Sequence, residues 1–414
     1  MTSLQPVRGT HDLMGEDVRR HRAVAEAFRG LAERYGFSEI ATPIFEFTEV
    51  FQRTLGETSD VVQKEMYTFE DRGGESVTLR PEFTAGIARA FISGGLAQSV
   101  PCKFFSNGPV FRYERPQKGR LRQFHQINLE IIGVPEPQAD IEAIALADNL
   151  LRDLGVAEKT TLEMNTLGDG ESRAAYRDAL VDYFLACKKD LSEDSQARLE
   201  RNPLRILDSK DQGDRKLIAD APRMADYLNG QSADFFALVQ DGLDRIGVPY
   251  TVNDRLVRGL DYYTHTAFEF TTEALGAQGA VIAGGRYDGL IEHMGGKGTP
   301  GVGWAGGIER LGMLLDQVPQ AMRPVAVIPV GENAQGPALA LTQELRNAGV
   351  AADLGYRGNA GKRMKRADKI NARIALFLGD DELAAGTVTV RDLDSGEENS
   401  IPLGQIADQL LNTM

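Results

Sequence analysis

The run Phe111-Arg112-Tyr113-Glu114-Arg115 continues through Pro116-Gln117-Lys118-Gly119-Arg120-Leu121-Arg122 to Phe124, Gln126 and Glu130. It sets arginines, carboxylates, an amide and an aromatic ring on two short apolar stretches joined by a basic turn. Guanidinium groups bind phosphate oxygens, an aromatic face stacks on a purine, and carboxylate and amide oxygens accept from an ammonium group. The run therefore carries the groups needed to hold a polyphosphate, a purine and a zwitterionic small molecule.

Three further polar clusters punctuate the chain: Arg80-Pro81-Glu82-Phe83-Thr84, Arg258-Gly259-Leu260-Asp261-Tyr262-Tyr263, and the glycine-rich stretch from Gly301 to Ile308-Glu309-Arg310. None fits a phosphate-cradling Walker loop or a dinucleotide-binding glycine fingerprint. Each has a structural alternative. Glu82 can cap a helix that begins near Thr84, and Arg112 and Arg258 can belong to structural ion pairs. Tyr262 and Tyr263 can be core aromatics, and the glycines before Ile308 can serve close helix packing. Four such clusters at strand ends together point to one shared pocket. His125 lies between Phe124 and Gln126 and alternates away from the face they share, which makes it a packed histidine and not a catalytic base. The other histidines show no metal-ligand spacing, so no protein-bound metal is expected.

These groups need elements to position them. Residues 17–35 have helical spacing, stopped by Gly36. Phe37 to Phe47 reads as extended chain, bent at Pro43. Strands are expected at Ser76–Leu79 and Lys103–Arg112, with a helix from Thr84 to Leu96 between them. Val110–Tyr113 and Leu121–Gly133 form an antiparallel pair around the basic turn. A helix covers Ile141–Leu154. From about 168 to 243 the sequence turns charged and helical, marking an inserted subdomain. Strand signals return at Tyr250–Val252, Ala267–Thr271 and Val281–Ala283, followed by a glycine-rich region through Gly307 and a helix from Ile308. The domain boundary is read at Arg323-Pro324, between a larger domain over 1–320 and an α/β module over 323–414 with a mainly parallel sheet.

The 414 residues, 42% hydrophobic and without an eighteen-residue apolar stretch, describe a soluble protein with no membrane span. No secretory signal is visible, and two cysteines, Cys102 and Cys187, fit a reducing cytoplasm better than a disulfide framework. A formal charge of −14 argues against nucleic-acid coating by the whole surface. A basic patch does stand out, with Lys362, Arg363, Lys365, Arg366 and Lys369 against the single acid Asp368. Standing alone it reads as a solvated helix face ahead of an RNA contact.

The chain resembles the bacterial-type histidyl-tRNA synthetase family, class II aminoacyl-tRNA synthetases, over essentially its whole length. The resemblance rests on Arg8-Gly9-Thr10-His11-Asp12, Lys64-Glu65-Met66-Tyr67, Leu79 to Glu82, the 111–130 run, the Arg258 to Tyr263 run, Ala283 to Gly289 and Gly307 to Arg310. It implies an antiparallel sheet flanked by helices, a helical insertion, a C-terminal α/β anticodon-binding domain and a homodimer built around Pro43 and its helix. It also implies roles. Glu82, Thr84 and Gln126 hold the amino-acid backbone, and Glu130 and Tyr263, beside Tyr262, grip the imidazole. Phe124 and Arg310 sandwich adenine, Glu114 accepts from its amine, and Arg120 joins the ATP set. Arg112 and Arg258 meet the histidine carboxylate and the α-phosphate; with Gln126 they are the candidate catalytic residues. Mg²⁺ accompanies ATP. Arg115, Gln117, Lys118, Arg120 and Arg122 are expected at the tRNA acceptor end, and the 362–369 basic residues at its anticodon side. The competing reading is a regulatory subunit of an ATP phosphoribosyltransferase, a paralogue that binds without aminoacylating.

Overall fold

Along Gln123–Ile132 polar side chains fall at 126, 128 and 130, in one row with Phe124, and apolar ones at 127, 129 and 131. This period of two puts one row into a helix-covered core and the other on an open face. The computed structural model describes residues 4–56, 59, 61–117, 119–257, 262–276 and 279–413. Arg258 and Lys118 lie outside these residues.

The strands are β1 (Ser38–Glu39), β2 (Phe45–Phe47), β3 (Tyr67–Glu70), β4 (Ser76–Leu79), β5 (Cys102–Phe111), β6 (Gln123–Ile132), β7 (Thr161–Thr166), β8 (Thr251–Val252), β9 (Thr264–Thr271), β10 (Ala280–Arg286) and β11 (Gly301–Gly307). The C-terminal unit adds β12 (Val325–Pro329), β13 (Ala352–Leu354), β14 (Ile374–Leu378), β15 (Thr387–Asp392) and β16 (Glu398–Pro402). The chain divides into units over Met1–Pro319 and Gln320–Met414.

In the first unit an eight-stranded sheet runs β1-β5-β6-β11-β10-β9-β7-β8. It is antiparallel except at its edges, where β1 pairs with β5 and β7 with β8 in parallel. Helices Glu16–Arg34, Gln138–Asp153 and Ile308–Leu314 cover one face, burying Phe28, Leu146 and Ile308 against Ile127, Leu129 and Trp304. The helix Glu16–Arg34 stops where Gly36 takes a φ of 79°, a left-handed turn that favours glycine. A separate sheet, β2-β4-β3, is tied to the helix Thr84–Ser93 by an ion pair between Glu46 of β2 and Arg89, 3.1 Å from Nε to Oε2.

The stretch Gly301–Gly307, read from the sequence as a glycine-rich connection, is instead a central strand between β6 and β10. Glycine weakens a strand, so its presence here needs a packing reason. A Cβ on Gly303 would lie 1.8 Å from a Glu130 carboxylate oxygen, and one on Gly301 would lie 2.2 Å from the Tyr287 ring. Neighbouring side chains lie flat over this strand. The sequence reading also passed over β3, β7, β15 and β16.

The insertion is helical, with Gly170–Ala186, Glu193–Arg201, Gln212–Ala219 and Gly230–Ile246 capped by the side chains of Asp169, Ser192, Asp211 and Asn229. Such caps satisfy backbone donors that a helix start leaves open. Tyr176, Leu180, Phe184 and Leu199 form its own core. In the second unit the sheet runs β13-β12-β14-β15-β16, parallel over its first three strands and antiparallel beyond.

One ion pair fixes the helix Gln138–Asp153 to β10. Arg286 and Asp140 are both fully buried, bonded at 3.0 Å, and the guanidinium also donates to the carbonyls of Val134 (3.0 Å) and Glu136 (3.2 Å). Removing one partner strands a charge in the core, so Asp140→Ala should cost roughly 3–5 kcal/mol. Urea unfolding of the two proteins measures this, and a difference below about 1 kcal/mol would mean that the pair does not latch the helix.

Candidate active site

The open face of β6 carries Phe124, Gln126, Asn128 and Glu130 in one row. Six residues of strand span roughly 20 Å, so the ring and the carboxylate stand at opposite ends of an elongated site. The pocket over this face is lined by Glu82, Thr84, Arg112, Glu114, Arg120, Phe124, Gln126, Tyr262, Tyr263, Tyr287, Glu309 and Arg310, among others. Residues from four distant stretches therefore converge, as strand ends in one sheet allow.

At one end stand three cations, Arg112, Arg120 and Arg310. The Arg112 guanidinium donates to the Pro81 carbonyl at 2.9 Å and sits 5.5 Å from the centre of the Phe124 ring. Burial and the nearby Arg120 lower the Arg310 pKa. Arg120 is paired with Glu114 at 2.6 Å. Gln117 and Arg120 exchange backbone hydrogen bonds of 3.1 and 2.9 Å, which folds the basic turn into a tight hairpin.

At the other end, Glu130 is 1% exposed and lies just behind the pocket lining. Its carboxylate accepts from Thr84 Oγ1 at 2.5 Å, from Asn128 Nδ2 at 3.1 Å and from the Tyr287 hydroxyl. Thr84 and Tyr287 do line the pocket, so Glu130 meets it through two hydroxyls. Desolvation pushes the Glu130 carboxyl up to about 7, against the pull of those hydrogen bonds. The neighbouring Glu82 carboxyl is also raised by burial, although it accepts from the backbone of Thr84 (2.6 Å) and Ala85 (2.9 Å). Glu82 thus caps the helix Thr84–Ser93 and lines the pocket at once. The Tyr262 and Tyr263 rings stand 4.5 Å apart, and burial, with Tyr263 alongside, raises the Tyr262 hydroxyl well above its ordinary range. Among the described residues, the buried Gln126 side-chain oxygen has no hydrogen-bond partner.

His125 points to the helix-covered side. Its Nδ1 lies 2.7 Å from Glu309, which also accepts from the His125 backbone N–H, and the His21 ring meets it edge-on at 4.4 Å. Gly303 and Glu309 belong to a cluster the sequence brings to the pocket without giving either a role there, and Tyr287 is a pocket element that residue chemistry alone did not single out. Their signal was available in the glycine-rich stretch, since glycines at strand spacing mark close approach of neighbouring groups.

Several cations expected at the tRNA are used inside the protein. Arg122 lies 3.8 Å over the Tyr113 ring, donates to the Glu114 carbonyl at 3.2 Å and packs on Gly9. Arg120 turns toward the pocket. Arg115 and Gln117 are exposed. In the second unit, Arg363 is only 7% exposed and donates to the Pro329 carbonyl and to Gln335. Its alkyl chain covers Gly355, and this removes it from the RNA-facing set. Arg366 is held by both oxygens of Asp353 at 2.9 and 2.8 Å. Lys362, Lys365 and Lys369 are exposed on the same helix, Ala360–Lys369. Among the described residues, no group of three His, Cys, Asp or Glu side chains could hold a metal, and no helix is long and apolar enough to cross a membrane.

Comparison with known proteins gives consistent relatives. A family model described as histidyl-tRNA synthetase matches residues 9–311, and one described as an anticodon binding domain matches 324–413. A histidine–tRNA ligase of Rhodospirillum rubrum is 62% identical over 412 residues, covering 99% of each chain. The crystal structure of apo S. aureus histidyl-tRNA synthetase is 34% identical with a TM-score of 0.83, covering 98% of this chain and 99% of that one. A Bacillus halodurans structure described as an ATP phosphoribosyltransferase regulatory subunit/histidyl-tRNA synthetase is 20% identical, with a TM-score of 0.66 over 92% of this chain and 100% of its own, a likeness of fold alone.

The raised Glu130 carboxyl gives a signed pH dependence. Between its ordinary 4.5 and about 7, the folded state holds a proton that the unfolded state has released. Stability therefore falls as pH rises through that window, by at most about 1.4 kcal/mol per pH unit from this group. Glu130→Gln should flatten the slope: between about pH 5 and pH 7, the wild type should lose more unfolding free energy in urea than the variant. Equal losses would place the proton elsewhere.

Proposed function

The chain belongs to the histidyl-tRNA synthetase family, and from that premise we propose how its own residues divide the work. The enzyme activates L-histidine with ATP to histidyl-adenylate and pyrophosphate, then transfers histidine to the 3′ end of tRNA(His). The observation that carries the division is the polarity of the pocket: three arginines and Phe124 at one end, and hydroxyls backed by Glu130 at the other.

At the hydroxyl end, Thr84, Tyr263 and Tyr287 face a ring with two polar nitrogens, and Glu130 behind them sets which way two of those hydroxyls point. An amino acid without such a ring would leave buried polar groups unpaired. In comparable polar sites that penalty discriminates by about 10⁴-fold or more. Glu82 and the unpaired Gln126 oxygen accept from the histidine ammonium group. At the arginine end, adenine stacks on Phe124 beneath Arg310, and Arg112 and Arg258 meet the α-phosphate. The histidine carboxylate attacks that phosphorus in line, its P–O bond forms as the bond to pyrophosphate breaks, and the arginines neutralise the charge that develops. Holding both reactants in one geometry and stabilising that charge supply the catalysis, and no protein nucleophile is consumed. Mg²⁺ enters with the ATP phosphates as part of the substrate.

For tRNA, exposed Arg115 and Gln117 on the hairpin suit the acceptor end, and Lys362, Lys365 and Lys369 suit anticodon-side phosphates. We place the enzyme in the cytoplasm, where its tRNA is charged. It is proposed to act as a homodimer. In the sheet β2-β4-β3 the register aligns Phe45, Leu79 and Tyr67 in one row and Phe47, Val77 and Phe69 in the next. Phe45, Phe47 and Phe69 are 58%, 55% and 49% exposed, an apolar sheet face of the kind that marks an interface. The regulatory-subunit reading is disfavoured, because a histidine–tRNA ligase matches the chain at 62% identity over 412 residues, whereas the structure described with that subunit is 20% identical.

Amino-acid-dependent ATP–pyrophosphate exchange across a panel of amino acids tests the reading: only histidine should support it, and exchange driven by another amino acid would refute the pocket assignment. Phe47→Asp should convert the dimer to a monomer in light scattering, whereas an unchanged mass would remove the β2-β4-β3 face from the interface.

A further inference from the structure

Residues 253–257 leave the edge strand β8, and Tyr262 and Tyr263 stand in the pocket wall. Both described pieces are held by the inserted helical subdomain. In the first, Arg255 donates to three carbonyls of the insertion, Ala219 at 3.1 Å, Ala221 at 2.9 Å and Pro222 at 3.2 Å. In the second, the Tyr263 carbonyl accepts at 2.7 Å from Arg173, in the first turn of helix Gly170–Ala186. Between these points Val257 packs against both the insertion core and the core beneath the pocket.

Arg173 is itself fixed. Asp169 caps the helix through the Ser172 N–H at 2.8 Å, and Ser172 Oγ is bonded to Ser232 Oγ at 3.3 Å and to the Asn229 N–H at 3.1 Å. Just beyond Tyr263, His265 takes a left-handed φ of 43° and exchanges backbone bonds with Leu167 (2.6 Å) and Gly168 (2.8 Å), where the insertion begins. A rigid-body shift of the insertion would therefore carry the Tyr263 backbone with it.

We infer that the insertion is part of the histidine-recognition machinery, with Arg173 and Arg255 as positioning residues that clamp the Tyr262–Tyr263 segment. The inference rests on the assignment of Tyr263 to histidine. Its signature is selective in KM: the adenine end is built from β6 and the 307–310 turn, which neither arginine touches in these bonds. Arg258, on the same stretch of chain, meets the α-phosphate where the reaction occurs, so that its displacement is read in kcat. Arg173→Ala and Arg255→Ala should each raise the KM for histidine about tenfold in pyrophosphate exchange. The KM for ATP should stay within about twofold, and Arg173→Lys, which keeps a donor, should recover most of the loss. Where an Ala variant melts below the wild type, the Gln variant at that position is read in the same way.

Tyr263→Phe run beside them separates the two ideas. If it raises the histidine KM while the arginine variants leave the ratio of the two KM values unchanged, the clamp is overturned. A raised histidine KM in Arg173→Ala with no change in Tyr263→Phe would keep the clamp and move the imidazole contact to another group on the segment. Parallel changes in both KM values would make the arginines merely structural and overturn the proposal.

Discussion

The Arg286–Asp140 pair is the constraint on which the catalytic unit's geometry depends. Two charges with no solvent exposure are tolerable only when the surrounding acceptors take every donor the guanidinium offers, and here the Val134 and Glu136 carbonyls help to do so. The pair pins the helix Gln138–Asp153 at its first turn and fixes the end of β10. The next residue is Tyr287, whose ring must then lie over Gly301 and whose hydroxyl reaches Glu130. A latch on the helix side of the sheet thereby sets a side chain on the pocket side.

Much of this was legible in the sequence where the period of the side chains and their chemistry agreed. The alternation on β6 separated Phe124, Gln126 and Glu130 from His125, and the strand at Ser76–Leu79 and the helix after residue 16 followed from patterning. Legibility failed where a residue's local preference opposed its surroundings. Gly301–Gly307 looks like a connection because glycine is a poor strand former, yet the flat-lying Glu130 and Tyr287 side chains require glycines there. Arg363 and Arg122 look like surface charge by type, but burial of their stems and donation to carbonyls are tertiary facts that no window of sequence contains. Glu130 was recognisable as a buried acceptor, while its place behind Thr84 and Tyr287 depends on two strands and a helix meeting.

The same tension runs through the charge pattern. A chain of net charge −14 approaches an anionic substrate and an anionic partner, so its cations must be concentrated and aimed. In the helix Ala360–Lys369 of the second unit, the arginines serve the unit's own packing and the lysines remain on the surface. This division suits the two side chains, since arginine's fork matches fixed oxygens and lysine is a mobile point charge.

The Glu114–Arg120 pair closes the hairpin over the pocket with a 2.6 Å bond. If Arg120 joins the ATP set, as the family resemblance implies, Glu114 is an internal competitor for it: a tethered anion already occupying part of the nucleotide's place. Added salt then weakens the incumbent as well as the incoming ligand, so part of the screening cancels. Nucleotide affinity in this pocket would be buffered against ionic strength, and the hairpin would change partners on binding without ever leaving its arginine unpaired.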